Sequence, residues 1–567
     1  MTIKGIGASQ GVAIAKVFKI EEIHLNYNKS TTNAEASLKK YEQARIRVIE
    51  KIQKAKELSK DPEHAGIFDA HLNFVTDEYA ITTISDLIKN ENYSAEYAVE
   101  TFYNQFAEML SGLDEYMRER VADVYDVSKK LIYAIAGIEE HDLTSINEEV
   151  IIVAEDLSPS QTVQLNKQFV KGFITNIGGT TSHTAIMARS LGIPSVVGTN
   201  VIMDKVQNND LVALDGSKGI VVVSPTEEEI QQFKEAKVKY EEYLERLSKL
   251  KGQPSVSVDG HHIEIAANIG TPKDLESVLN NDAEGIGLFR SEFLYMDNEN
   301  WPTEEEQFEA YKKVVQGMNG KRVVIRTLDI GGDKTLKYFK FPTEMNPFLG
   351  YRAIRFCLQN PEIFKTQLRA LIRASEYGKV AIMFPMITNV QEFLDAKQMY
   401  YQAYDEVYAT NKNIASKDQI EVGLMMETPA AAVLSDQFCK YADFVSIGTN
   451  DLIQYSMAAD RMNENISYLY QPLNPSILRL IKMVIDGAHK HNKWAGMCGE
   501  MAGDSRALPL LLGLGLDEFS MSASSVLQSR ELARTLSYEQ MQKVALKAIE
   551  LDTQEEVLEL LNQSLQK

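Results

Sequence analysis

Cysteine is scarce in this chain, and positive charge falls well short of negative. Only three cysteines, Cys357, Cys439 and Cys498, occur among 567 residues. Their odd number and wide spacing exclude a disulfide framework and a cysteine-based metal cluster, and predict a reducing compartment. Lys and Arg number 59 against 80 Asp and Glu, a formal net charge of -21. That surplus of carboxylates argues against general nucleic-acid binding and against an anionic membrane surface, and favours a partner with a basic patch. Long apolar runs are also missing. The stretch from Leu508 to Leu516 is too short to span a bilayer, and the opening MTIKGIGASQG lacks the apolar segment of an export signal. No membrane insertion is expected, and the compartment predicted is the cytoplasm.

The chain is too long for one core and predicts about three or four domains. Residues 2–20 interleave glycine with Ile3, Ile6, Val12, Ile14, Val17, Phe18 and Ile20, the pattern of one or two strands too few to bury a sheet alone. Matching strand material, Val150 to Ala154, returns only after an interval with helical periodicity, in which Leu38, Tyr41, Val48, Ile52 and Ala55, and later Phe102, Phe106, Met109 and Leu110, share faces. Asn33 and Ser94 are N-cap candidates and Gly137 a C-cap. A charged segment, 226–251, then reads as a long connecting helix ended by Gly252-Gln253-Pro254. After it, strand-like runs and helices alternate eight times, as a (β/α)8 barrel requires.

The fold class expected is therefore multidomain α/β. An α/β domain (1–21 and 144–225) receives an inserted all-α bundle (22–143), and a linker helix (226–252) leads to a C-terminal TIM-type barrel (253–567). The barrel strands expected are Ile263 to Ile269, Gly285 to Phe289, Arg322 to Leu328, Val380 to Met386, Val422 to Met426, Phe444 to Ile447, Trp494 to Met497 and Glu518 to Met521.

Two places carry chemistry. In GGTTSHTAIMARS, starting at Gly178, two glycines permit a tight turn, Thr181 and Ser182 are caps, and His183 stands at the entry of a helix. A helix N-terminus presents unpaired N–H groups, so an anion on His183 would be held by the backbone, which suits a phosphorylated imidazole. A lone first-turn histidine is more often without a task. The second place is the barrel rim, where strand ends bring Asn268, Arg290, Arg326, Glu427, Asn450, Asp451 and Cys498 to one face, with Arg352, Arg355 and Arg461 nearby. Several arginines on one rim make a basin for phosphate and carboxylate. Glu427 and Asp451 suit Mg²⁺, although taken alone they read equally well as ion-pair carboxylates. Cys498 is either a buried apolar thiol or a proton donor at a strand end. Cys357, Cys439 and His71 have no comparable setting and read as structural, His71 at most as a docking residue.

GGTTSHTAIMARS, together with GIGLFRSEFLY, VIRTLDIGGDK, NPFLGYRAIR, GLMMETPAA, SIGTNDLIQY, AADRMN and GMCGEMAGD in that order, resembles the Enzyme I family of the phosphoenolpyruvate (PEP)-dependent sugar phosphotransferase system over nearly the whole chain. Thr180 departs from the arginine usual in that family. The resemblance implies a PEP-protein phosphotransferase with His183 as phosphorylated residue, Arg290, Arg326, Asn450, Asp451 and Arg461 as PEP ligands, Glu427 and Asp451 as Mg²⁺ ligands, and Cys498 as proton donor. It further implies that the inserted helices dock the phosphocarrier protein HPr, that the chain is a homodimer through the barrel, and that the α/β domain swings about the linker helix. Two alternatives stay open: a PEP synthase or pyruvate phosphate dikinase, for which no ATP-binding segment is visible, and a noncatalytic PEP sensor.

Overall fold

The structure is a computed structural model. It describes residues 1–565 apart from residues 22, 24, 59–61, 112–119, 139–142, 144, 145, 164, 167, 180, 181, 297, 333, 335 and 462, and apart from the side chains of 58, 62–66, 111, 159, 163, 183, 186, 190 and 464. Two compact units emerge, Met1–Leu244 and Glu245–Lys567.

In the first unit, strands β1 (Thr2–Lys4), β2 (Ile6–Ser9) and β3 (Val12–Ile20) precede helices α1 (Ala34–Leu58), α2 (Pro62–Thr76), α3 (Glu78–Asn90), α4 (Ala95–Ser111) and α5 (Val121–Ala136). The chain then supplies β4 (Val150–Ala154), α6 (Pro159–Val163), β5 (Val170–Thr175), α7 (His183–Leu191), β6 (Ser195–Val197), α8 (Ile202–Lys205), β7 (Leu211–Asp215) and β8 (Ile220–Val223). All these strands form one eight-stranded sheet in the order β1-β8-β7-β3-β4-β5-β6-β2. β3 and β4 run parallel from the pair Lys16 and Val150 to the pair Ile20 and Ala154, so the helices α1 to α5 lie on a crossover between neighbouring strands. Every residue of β4 is buried, Ile151 and Val153 in one core cluster and Val150, Ile152 and Ala154 in another, because the sheet is covered on both faces.

The inserted helices pack around their own core of Tyr41, Val48, Ile52, Ile84, Val99, Tyr103 and Leu131. Caps fall where the sequence predicts them: Asn33 Oδ1 accepts from the Ala36 N–H, Ser94 Oγ from the Tyr97 N–H, and Gly137 ends α5 with φ +72°. Met109, expected on the apolar face, is instead exposed. The helix α9 (Glu227–Ser248) is mostly exposed, and the boundary between the units falls within it.

The second unit closes into a parallel barrel of β9 (Glu264–Ile269), β10 (Ile286–Arg290), β11 (Val323–Arg326), β12 (Val380–Phe384), β13 (Glu421–Met426), β14 (Phe444–Ile447), β15 (Trp494–Met497) and β16 (Glu518–Met521), with β16 pairing back onto β9. Leu288, Val324, Ala381, Met383, Met425, Phe444 and Cys498 form its interior cluster. At the amino ends of the strands Arg322 meets Glu264 (2.6 Å) and Glu518 (3.2 Å) and stacks on Trp494. β11 and β12 stop two residues earlier than expected, at Arg326 and Phe384, because the following residues leave the wall to build the mouth. A helix, α10 (Thr449–Met457), opens directly after β14. No helix among the described residues is long and apolar enough to cross a membrane.

Arg530 locks the chain entering the barrel to its wall. It is wholly buried and donates from Nε to Ser255 Oγ (3.1 Å), from Nη1 to the Leu250 carbonyl (3.1 Å), and from Nη2 to the Asp282 carbonyl (2.7 Å), with Asp282 Oδ2 also paired to Nη1. Removing one partner of such a pair leaves its acceptors without donors. Arg530→Met is expected to destabilise the barrel by on the order of 3 kcal/mol, read from denaturant unfolding of wild type and variant.

Candidate active site at the barrel mouth

Carboxyl ends of the strands converge on one polar cluster. Arg326, the last residue of β11, donates from Nη2 to Glu292 Oε1 at 2.7 Å and lies 3.2 Å from Asp329 Oδ2. Asp329 also accepts from Arg352 Nη2 (2.9 Å) and from Lys334 Nζ (3.3 Å). Arg352 reaches onward to Asp451 Oδ2 at 3.5 Å and to the Tyr455 hydroxyl at 3.3 Å. Glu427, just past β13, accepts the Met386 N–H at 2.6 Å, which Met386 aims inward by adopting φ +57°. Asp451 sits in the first turn of α10, with Arg461 Nη1 3.9 Å from its Oδ1.

Charges here are strongly biased. Burial opposes ionisation of Arg326, yet Glu292, Asp329 and Glu427 hold it more firmly protonated than usual. Asp329 is likewise buried, and Lys334, Arg352 and Arg326 keep its carboxyl far below the ordinary range. Glu427 goes the other way: burial and the neighbouring Asp451 and Asp329 push its carboxyl up to about 8. Cys498, following β15, packs among the barrel's interior side chains, and burial pushes its thiol up to about 11. Its carbonyl accepts from Asn268 Nδ2 at 2.9 Å.

Of the residues picked from sequence, Arg326, Glu427, Asp451, Arg461 and Cys498 gather in this mouth. Arg290 is exposed at the end of β10, opposite Arg326 in the strand register. Asn450 faces a neighbouring turn, its side chain exchanging hydrogen bonds with Glu500 (3.4 and 3.2 Å). Arg355 is turned to the Leu349 and Gly350 carbonyls. Glu292, Asp329, Lys334 and Tyr455 complete the cluster without having been singled out, although each lies inside a motif quoted above. The two carboxylates Glu427 and Asp451 suit a hard divalent cation: both are buried, they repel one another, and Asp451 Oδ1 accepts no hydrogen bond among the described residues. No group of three or more His, Cys, Asp or Glu side chains arranged for a metal occurs among the described residues.

The second place lies in the other unit. His183 is the first residue of α7, and its side chain is outside those described, as are Thr180 and Thr181. Ser182 caps the helix, its Oγ accepting from the Ala185 N–H at 3.3 Å, and Gly192 closes it with φ +64°. Thr184 donates to Asp156 Oδ1 at 2.8 Å, which fixes the first turn against the end of β4.

Comparison with known proteins agrees with this arrangement. The family described as PEP-utilising enzyme, PEP-binding domain, matches residues 244–538, while the corresponding N-terminal and mobile-domain families match 4–120 and 146–219. Fold and site thus define the class of PEP-utilising enzymes. A phosphoenolpyruvate-protein phosphotransferase of Listeria monocytogenes serovar 1/2a is 54% identical over 567 residues, covering 99% of this chain and 98% of its own. One of Staphylococcus epidermidis is 53% identical over 568 residues, with 99% of each chain covered. Among solved structures, an NMR structure of an Enzyme I protein is 39% identical and covers 42% of this chain and 99% of its own, with a TM-score of 0.39. The chain belongs to the phosphoenolpyruvate-protein phosphotransferase family.

The raised Glu427 carboxyl has a consequence for stability. Its folded pKa, about 8, exceeds the unfolded value, so its contribution is full below about pH 4.5 and is lost as pH rises through 8. Relative to Glu427→Gln, the wild type is expected to lose stability between about pH 5 and 8, measured by unfolding of both proteins across that range.

Proposed function

We propose that this chain takes the phosphoryl group of PEP onto His183 and passes it to a histidine of HPr, releasing pyruvate, as the first step of a sugar phosphotransferase system. The observation that carries this reading is the cluster of buried guanidinium and carboxylate groups at one barrel mouth, in a chain similar along its whole length to phosphotransferases of that name. PEP bears a phosphate and a carboxylate, and forked guanidinium groups bind both. Arg290, Arg326 and Arg461, with Asn450 and Asp451, orient it. In phosphoryl transfer, positioning and charge neutralisation do most of the catalytic work.

The neutral imidazole of His183 attacks phosphorus in line, the bond from phosphorus to the enolate oxygen breaks, and the enolate is protonated at carbon with help from Cys498. With its pKa raised to about 11, the thiol keeps its proton at neutral pH and has one to give. Glu427 and Asp451 would hold Mg²⁺, which supplies charge neutralisation on the substrate's oxygens. The new phosphate is received by the N–H groups at the start of α7.

Functional division follows the sequence reading: acceptor domain 1–21 and 144–225, HPr-docking helices 22–143, linker 226–252 and PEP-binding barrel 253–567. Acceptor and PEP ligands belong to different compact units, so the acceptor domain must move about the linker between two sites. Three free, buried thiols support a reducing cytosol as the compartment, and a homodimer through the barrel completes the proposal.

Labelled PEP with Mg²⁺ is expected to give an acid-labile phosphoprotein whose label maps to His183 and chases into HPr. His183→Ala should take no label while still binding PEP; normal turnover in that variant would refute the assignment. Because Glu427 holds a proton at pH 7, Mg²⁺ binding should release up to about one proton there, and affinity should rise toward pH 8. Titration calorimetry in two buffers of different ionisation enthalpy measures that proton, and Glu427→Gln should abolish its release.

A further inference from the structure

A chain of polar groups, buried at His71, Asp123, Asp126, Ser160 and Thr184 and unused by the reaction above, ties the inserted helices to the acceptor helix. It starts at His71 on α2, which is wholly buried. His71 Nε2 lies 3.2 Å from Asp123 Oδ1 and 3.8 Å from Asp126 Oδ2, both on α5. One turn along α5, Lys130 donates from Nζ to Asp126 Oδ1 at 2.6 Å and to Ser160 Oγ at 2.7 Å. Ser160 is also wholly buried and belongs to α6, on the far side of the crossover. The Ser158 and Ser160 hydroxyls lie 3.4 Å apart, and the adjoining Asp156 and Leu157 accept from Thr184 in the first turn of α7.

A pair of Asp126 and Lys130 spaced four residues apart on an exposed face would steady α5 by a few tenths of a kcal/mol. Here the Asp126 carboxylate is buried and the Lys130 ammonium partly so, and buried ions cost several kcal/mol unless well partnered. Burial opposes the Asp126 charge, yet Lys130 and His71 hold its carboxyl at about 2. An ammonium carried across from one helical layer to a hydroxyl of the other is costly for stability alone; it is suited to fixing one layer's orientation against the other.

We propose that Lys130 is a positioning residue for the second half of the reaction: through Ser160 and α6 it fixes the acceptor helix against the helices that dock HPr. The inference rests on the HPr docking proposed above. Every member of the chain lies in the unit Met1–Leu244, whereas the PEP-binding groups lie in the other; the chain sets the acceptor helix against the docking helices, and the step that uses both is transfer to HPr.

The test separates the half-reactions in the full-length protein by single-turnover kinetics, first with labelled PEP and Mg²⁺, then with HPr. Ser160→Ala removes only the hydroxyl that Lys130 meets. It should take label from PEP at the wild-type rate but pass it to HPr about tenfold more slowly, with an unchanged half-saturating HPr concentration. Lys130→Met should lose at least as much in that step, and Lys130→Arg should recover most of it. Equal slowing of both half-reactions, alongside a lowered Tm, would mark a merely structural role and overturn the inference, as would wild-type transfer to HPr in Ser160→Ala. A wild-type protein that takes no label from PEP would overturn the proposed function and this inference with it; normal wild-type labelling tells the two failures apart.

Discussion

Asp329 receives three cations, Arg326, Lys334 and Arg352, while almost wholly buried. Each of those cations reaches further: Arg326 and Lys334 to Glu292, Arg352 to Asp451 and Tyr455. Take this carboxylate away and at least two guanidinium groups remain buried with too little opposing charge, a state that costs several kcal/mol per ion. The backbone around it follows from that demand. β11 ends at Arg326; the Thr327 N–H still bonds the Met383 carbonyl of β12, and from Leu328, whose N–H goes to the Gln367 side chain, the chain leaves the ladder ahead of Asp329.

The cluster is balanced short of neutrality. Arg326, Lys334, Arg352 and Arg461 face the carboxylates Glu292, Asp329 and Asp451, while burial and its acidic neighbours push the Glu427 carboxyl up to about 8. A mouth built this way has cationic charge in excess when empty, and adding an anion with two acidic groups lowers its energy. A divalent cation held by Glu427 and Asp451 would replace the Glu427 proton and relieve the repulsion between the two carboxylates.

Much of this was legible in the sequence, and the exceptions share a cause. Barrel strands read from apolar runs agree with the structure to within about two residues, and three of them, Phe444 to Ile447, Trp494 to Met497 and Glu518 to Met521, agree residue for residue. The two-residue disagreements fall at the strand ends expected at Leu328 and Met386; at the latter, Met386 twists to positive φ and its N–H serves Glu427. Arginines at strand ends stood out because they interrupt apolar runs. Glu292 and Asp329 did not, since among 80 acidic residues nothing in one dimension distinguishes a buried counter-ion from a solvated one. Likewise His71 looked idle, because the aspartates that surround it come from a helix some fifty residues away and only packing brings them together.

Electrostatics at two ranges explain how a chain of net charge -21 can serve an anionic substrate. Exposed charges are screened beyond about 8 Å at physiological salt, so most of the surface carboxylates are not felt inside the barrel mouth. Within that distance the guanidinium groups dominate, and burial strengthens them because water is excluded. The overall charge acts instead on a partner large enough to sample the surface as a whole. It would steer a protein with a basic face toward the molecule and speed encounter without adding to the affinity of the small substrate. A single charge distribution would thus separate the two tasks by distance: local cations for the small anion, and the distant acidic surface for a protein acceptor.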